Sequence, residues 1–386
     1  MKTLYLHIGT PKTGTSAIQE LCVLNQETLN KKGYCYPVFK TSYAGFSKRR
    51  NGMFLQKSIY KDGVRQTEEE KKFFEENMNE VFHLFKTYDN VILSDEGIWA
   101  ASYELRRSLW KDLKELGGSH DFAVKVIVYL RRQDVYMVSR WKQRVKGNAL
   151  KKSDGDIPWE EYIANVPENL QLDYYAALER ISAALGKENI IVRRYERGSF
   201  PDGLIQADFL KVIGLELTDE YVLEKETVNQ SLSGNTCEIK RVVNTLEDIT
   251  EKESLFLRRA LLGYSRISEE AYPRSMFSVQ EAKDFMEKFR QGNRKVAKEY
   301  MNEPDGELFE MSFPDAEKWE KDNPYMLDDV IRFAAESDIS VLRRMEEENK
   351  ALKDELKSLR TELDGLKNKL RHPLKTGIKI LLKKRK

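Results

Sequence analysis

Apolar positions along the chain follow two alternating patterns. Short continuous runs occur at residues 3–8, at Val91-Ile92-Leu93, at 122–130 and at Ile190-Ile191-Val192. They are rich in β-branched residues and read as buried strands. Between and after them, residues 16–30, 67–88, 105–116, 135–145, 172–185 and 203–213 place apolar side chains at helical spacing. Gly117-Gly118, Gly186 and Gly214 supply helix stops. Strands that alternate with helices and carry unbroken apolar runs predict a parallel sheet covered on both faces. The α/β core is expected over 1–230. Residues 231–335 keep helical periodicity with little strand signal and are read as helical additions to the same domain, 1–335.

Beyond residue 340 the period changes. Leu342, Met345, Asn349, Leu352, Leu356, Leu359, Leu363, Leu366 and Leu370 alternate by three and four, with a positions at 342, 349, 356, 363 and 370. This predicts a coiled coil over 340–370. Asn349 at an a position fixes register and favours two strands, hence a homodimer. Gly365 is its one weak position. The competing reading is a long surface helix packed on its own domain. Residues 371–386 hold seven Lys or Arg and no acid, with Leu374, Ile378, Leu381 and Leu382 at helical spacing after Pro373. Such a basic amphipathic tail is expected to touch anionic membrane, the alternative being a disordered basic end.

The net charge of +2 is therefore uneven. With 58 basic against 63 acidic residues before the tail, the body carries −5 and is not a polybasic nucleic-acid binder. An apolar share of 40% over 386 residues can fill a core and excludes a wholly disordered chain. Three cysteines without CxxC spacing and four scattered histidines argue against a disulfide framework or a metal motif. No apolar run reaches about 18 residues, the length a membrane span needs. The first residues read as a strand, so the expected compartment is the cytoplasm.

The candidate chemistry lies after the first strand. Gly9-Thr10-Pro11-Lys12-Thr13-Gly14-Thr15-Ser16 leads directly into a helix. Small residues and backbone N–H groups at a helix start make an anion cradle. Gly9 and Gly14 have Walker A spacing, but Thr15 stands where that motif has Lys, and the loop's only Lys is Lys12. Ser94-Asp95 follows another strand, so a kinase-like site with Mg²⁺ held by an Asp stays open. A second element is Arg131 at the end of the strongest strand, with Ser139 eight residues on inside a helix. Arg offers a charge-assisted fork to a phosphate and Ser a short hydroxyl bond.

Pro11-Lys12-Thr13-Gly14-Thr15-Ser16 resembles the 5′-phosphosulfate loop of sulfotransferases that use 3′-phosphoadenosine 5′-phosphosulfate (PAPS). Arg131 with Ser139 resembles the family's 3′-phosphate element. Residues 139–146, 189–196, 207–210 and Asn229-Gln230-Ser231-Leu232-Ser233 are similar to bacterial sulfotransferases that modify sugars and other small acceptors. The resemblance spans most of the first 240 residues. It implies a P-loop-like α/β catalytic domain and direct sulfonate transfer from PAPS to a hydroxyl or amine, without a metal. Lys12 would neutralise the leaving phosphate, and Thr13, Thr15 and Ser16 would hold its oxygens. Asn229 and Ser231 would fall where a segment closes over the nucleotide, Ser233 being equally well placed as a helix N-cap. Glu96 resembles the family's Ser-x-Glu acid and is the first choice of general base, with Asp95 as the alternative. Other branches use a His base; here His7 is expected to be a packed core residue. Ser47-Lys48-Arg49-Arg50 could meet an anionic glycan, a solvated loop being the weightier reading. The tail resembles the ends of bacterial enzymes that build surface polysaccharides at the inner leaflet. The expected protein is a dimeric, PAPS-dependent carbohydrate sulfotransferase. Its rivals are a P-loop kinase-like phosphoryl transferase and a non-catalytic coiled-coil scaffold.

Overall fold

The computed structural model describes residues 2–40, 49–104, 108–147, 155–224, 232–247, 249–272, 275–303, 306–313 and 315–371. Five parallel strands form its sheet: β1 (Lys2–His7), β2 (Tyr34–Cys35), β3 (Asn90–Ser94), β4 (Phe122–Leu130) and β5 (Ile190–Arg194), in the order β2-β3-β1-β4-β5. Register places Leu6 of β1 between Leu93 of β3 and Val126 of β4. Side chains alternate across the sheet, and both faces are covered, which is why the strands read as unbroken apolar runs.

One face carries Leu4, Leu6, Val91, Leu93, Val124, Val126 and Val128. It packs against α3 (Thr67–Leu84), α5 (Leu109–His120), α8 (Tyr174–Leu185) and α12 (Val279–Tyr300). The other face carries Ile92, Ile127 and Tyr129 under α1 (Thr15–Leu24) and α9 (Ile205–Val212). A third cluster joins α6 (Gln133–Lys146), α7 (Trp159–Ala164), α10 (Gly234–Val243) and α11 (Glu251–Ala271) to the start of α13 (Met326–Arg371) through Met137, Trp141, Trp159, Cys237, Leu261 and Phe333. Helix α6 belongs to both regions, since it leaves the end of β4 and enters the helical part. Fully buried side chains of this size contribute roughly 1.5–3 kcal/mol each. The architecture is the expected P-loop-like parallel sheet flanked by helices, with helical additions and a long C-terminal helix.

Three local readings differ, and one element was not foreseen. The helix expected to stop at Gly117-Gly118 runs through both to His120 and ends at Asp121, which takes φ 54°. Gly117 serves packing instead: a Cβ there would lie 2.7 Å from the Phe122 carbonyl oxygen. The single helix expected over 16–30 breaks at Asn25 into α1 and α2 (Gln26–Lys31). The Asn25 amide donates to Leu21 O and Val222 O, both at 2.8 Å, and accepts from Val222 N, so it stitches the break to a distant segment. A small hairpin pairs Tyr60–Lys61 with Val64–Arg65. Asp62-Gly63 between them, with φ 48° and 79°, is a left-handed turn whose sequence signature was available. Finally, α13 does not pack on the body along its length. Every described side chain from Asp338 to Arg371 is exposed, so the reading of a helix lying on its own domain is wrong.

No helix among the described residues is long and apolar enough to cross a membrane. The tail, residues 372–386, lies outside the described residues.

Candidate active site

Strand order reverses at β1, whose neighbours β3 and β4 lead to opposite edges of the sheet. Ligands of open α/β sheets sit at such a switch point, beyond the strand ends. Three strand ends bring their residues there: the 9–14 loop after β1, Asp95-Glu96 after β3 and Arg131 after β4.

The loop is held by β4. Thr10 N donates to Tyr129 O at 2.8 Å and Tyr129 N to Gly9 O at 2.7 Å. The Thr13 hydroxyl donates to Thr10 O at 2.5 Å, so its proton is spent on the loop's own shape. Lys12 and Gly14 both take left-handed backbone, with φ 67° and 72°. For Lys12 this is a strained conformation of the kind that gathers at ligand sites. Gly14 is also required by space, because a Cβ would come within 2.8 Å of Ile205 Cδ1 and 3.0 Å of Tyr195 Cε2. Gly14 caps α1 without a side chain, and the first turn carries no acid. The helix therefore presents its N-terminal N–H groups unclaimed by a capping residue. Pro11 and Thr15 are buried, Ser16 is exposed, and the enclosed Thr15 hydroxyl has no partner.

Charge is concentrated around this loop. Lys12 Nζ donates to Gln143 Oε1 of α6 at 3.2 Å. Burial pulls the Lys12 pKa down, and Lys146, Arg131 and Arg140 lower it further while Glu96 opposes them. Lys146, Arg131 and Arg140 thus act on Lys12 as like charges and Glu96 as an opposite one, a balance that an anion would relieve. Arg131 Nη1 donates to Lys12 O at 2.9 Å, and its guanidinium lies 5.5 Å from the Tyr195 ring centre. That bond takes one of five N–H groups. Ser139 lies one helical stretch along α6. It lines a cavity of about 350 Å³ together with Arg131, Lys142, Phe277, Ser278 and Phe313. The structure thus puts the two members of the expected 3′-phosphate element on one cavity.

Glu96 abuts the loop, since a Cβ on Gly9 would lie 3.3 Å from Glu96 Cα. Its neighbour Asp95 has a different fate. Asp95 is fully buried and takes Arg50 Nε and Nη2 in a fork at 3.0 and 2.8 Å, plus Gly97 N at 2.6 Å. Burial raises its pKa, and the Arg50 fork holds it down. With its oxygens bonded by Arg50 and Gly97, Asp95 serves the structure, so the alternative base is spent on packing. Arg50 is accordingly no solvated loop residue, and Arg49 pairs with Glu20 at 2.6 Å. Ser47 and Lys48 lie outside the described residues, as do Asn229 and Ser231. Ser233 is an N-cap: its hydroxyl accepts from Thr236 N at the start of α10. His7 is buried in the sheet, with Nδ1 2.8 Å from Ser94 Oγ, and burial lowers its pKa to about 3. It is the neutral core residue expected.

Sequence reasoning singled out Ser139 of α6 but gave no site role to Tyr136, Arg140, Gln143 or Lys146. Tyr136 lies three and four residues before Ser139 and Arg140, these lie four and three before Gln143, and Lys146 follows three later, so the five share a face. Tyr136 is fully buried with an unpartnered hydroxyl, whose pKa burial pushes up to about 12, Arg140 opposing and Glu96 adding to the shift. The three- and four-residue spacing of these side chains was the available signal. Arg50 could not have been found, because its partner lies 45 residues away.

No family model matches the chain. An uncharacterized protein of Archaeoglobus fulgidus is 30% identical over 178 residues, which cover 46% of this chain and 45% of that protein. The chain thus spans less than half the length of the curated relative it matches. A crystal structure of a sulfotransferase from Alicyclobacillus acidocaldarius aligns over 59% of this chain and 87% of its own, at 12% identity and a TM-score of 0.36. A likeness of that size carries no argument about this chain.

Proposed function

We propose that the protein is a PAPS-dependent sulfotransferase whose acceptor is a hydroxyl or amine of a carbohydrate, such as a cell-surface glycan or its precursor. The observation that carries the reading is the Gly9–Gly14 loop at the uncapped start of α1, with Arg131 bonded to the Lys12 carbonyl and Glu96 against Gly9, where Lys146, Arg131 and Arg140 add like charge to Lys12. A phosphosulfate with a further 3′-phosphate is a ligand of the matching charge. The orphaned Thr15 hydroxyl and the small, tightly enclosed Gly14 fit a loop that wraps an anion.

In this reading the acceptor oxygen attacks sulfur, and the bond from sulfur to the bridging 5′-phosphate oxygen breaks. Glu96 takes the acceptor's proton. Charge grows on the departing phosphate oxygen, where Lys12 and the α1 N–H groups offset it. Arg131 and Ser139 hold the 3′-phosphate. The kinase-like alternative needs a carboxylate for Mg²⁺, and Asp95, the residue placed for it, is already bound by Arg50 and Gly97. The carbohydrate acceptor rests on the sequence resemblance to bacterial sulfotransferases of sugars.

The test is release of 3′-phosphoadenosine 5′-phosphate (PAP) from PAPS, with and without a panel of glycan acceptors and a chelator. Release that requires a glycan and survives the chelator is expected. Release that no glycan stimulates, or phosphoryl transfer from ATP–Mg²⁺ in its place, would overturn the assignment.

A further inference from the structure

The outer part of α13 is a helix without a partner. From Asp338 to Arg371 its described side chains are all exposed, and the 34 residues reach about 50 Å at helical rise. Leu342 is 60% exposed, Leu352 60%, Leu359 57% and Leu370 80%. A single helix in water gains nothing from such a stripe, and most helical stability in proteins comes from packing an apolar face. We infer that the outer α13 pairs with α13 of a second copy of this chain as a parallel, in-register two-stranded coiled coil.

Charge complementarity chooses the occupant and its direction. With a at 342, 349, 356, 363 and 370, the d positions are Met345, Leu352, Leu359 and Leu366. Within the stripe three g positions are Glu348, Glu355 and Glu362 and three e positions are Lys353, Arg360 and Lys367, while its ends place Val341 and Lys369 at g and Glu346 at e. In a parallel pair, each g residue faces the e residue five positions on in the other strand. Glu348 then meets Lys353, Glu355 meets Arg360 and Glu362 meets Lys367. All three combinations are opposite in sign, and twofold symmetry repeats each. An antiparallel pair brings g against g and e against e, which sets Glu against Glu and cation against cation. Glu348 is engaged within its own helix by Arg344 at 3.2 Å, a pair exposed on both sides. Such exposed pairs are worth about 0–1 kcal/mol and yield readily to a partner.

Asn349 gives the same answer by a separate route. In register and parallel, its amide meets the amide of the other copy's Asn349 and both can bond. In an antiparallel pair an a residue packs against d residues, and the amide would be buried against Leu or Met without a partner. Gly365 falls at a c position, away from the seam, so the weak residue does not interrupt packing. Parallel pairing sets both bodies at one end of the stalk.

Three measurements on the full chain test this. Sedimentation should give a dimer at micromolar concentration. The native thiols Cys22, Cys35 and Cys237 are buried, so an introduced cysteine on the stalk reports alone. Leu342→Cys and Leu370→Cys should each cross-link to itself under mild oxidation, and the two reduced variants, mixed, allowed to exchange and then oxidised, should give only self-linked products. Changing Glu348, Glu355 and Glu362 together to Lys should weaken dimerisation by more than roughly tenfold. Mixing that variant with one carrying Lys353→Glu, Arg360→Glu and Lys367→Glu should restore pairing as a heterodimer. A monomer or a trimer overturns the inference. So does cross-linking of Leu342→Cys only to Leu370→Cys, or a charge reversal without effect.

Discussion

Replacing Lys12 by Ala should lower turnover of PAPS by roughly 10²–10³-fold, the loss seen when one preorganised donor to a developing oxyanion is removed. The argument rests on where Lys12 is held. Its backbone is left-handed, its carbonyl is bonded by Arg131, and its ammonium reaches Gln143 on α6. The side chain is therefore placed before any ligand arrives. Its neighbours Lys146, Arg131 and Arg140 remain in the variant and continue to attract the donor. Affinity for PAP should thus change far less than turnover. Initial rates at saturating PAPS, set beside PAP affinity, separate the two effects. A variant with full turnover would remove Lys12 from the chemistry.

The second large effect belongs to Glu96. Glu96→Gln should cut turnover by roughly 10²–10⁴-fold, the usual contribution of a positioned general base. PAP binding should be kept, since the carboxylate faces the acceptor side of the loop in this account. The adjacent carboxylate is the control. Asp95→Asn removes the fork to Arg50 and the charge that accepts Gly97 N, with a cost of about 1–3 kcal/mol in stability. Thermal denaturation should register Asp95→Asn and hardly Glu96→Gln, whereas turnover per folded molecule should show the reverse. Unchanged rates in Glu96→Gln would mean that another group takes the proton.

The parts of this molecule that were legible in the sequence are those governed by local pattern. Phe122–Leu130 is an unbroken apolar run because both faces of β4 are covered, and its limits in the structure are those of the run. The loop from Gly9 to Gly14 was legible because backbone and small residues make it, and both lie in sequence order. Long-range pairing was not legible. Nothing near Asp95 in the chain announces Arg50, and nothing near Asn25 announces the Val222 backbone. Gly117-Gly118 misled for a related reason: glycine there answers a close approach of Phe122, which local rules read as a helix stop. The α6 face lay in plain view at helical spacing, but its partners Lys12 and Glu96 arrive from β1 and β3. Its meaning emerges only once the sheet order is known.

In the proposed reading Lys12, Arg131 and the neighbouring cations form a site for a nucleotide carrying a 3′-phosphate. Calorimetric titration with PAP, 5′-AMP and ATP–Mg²⁺, on the native protein and on Arg131→Ala, tests it most directly. The account predicts that PAP binds far more tightly than 5′-AMP, and that Arg131→Ala erases most of that difference. Equal affinity for PAP and 5′-AMP, or preferred binding of ATP–Mg²⁺, would contradict it.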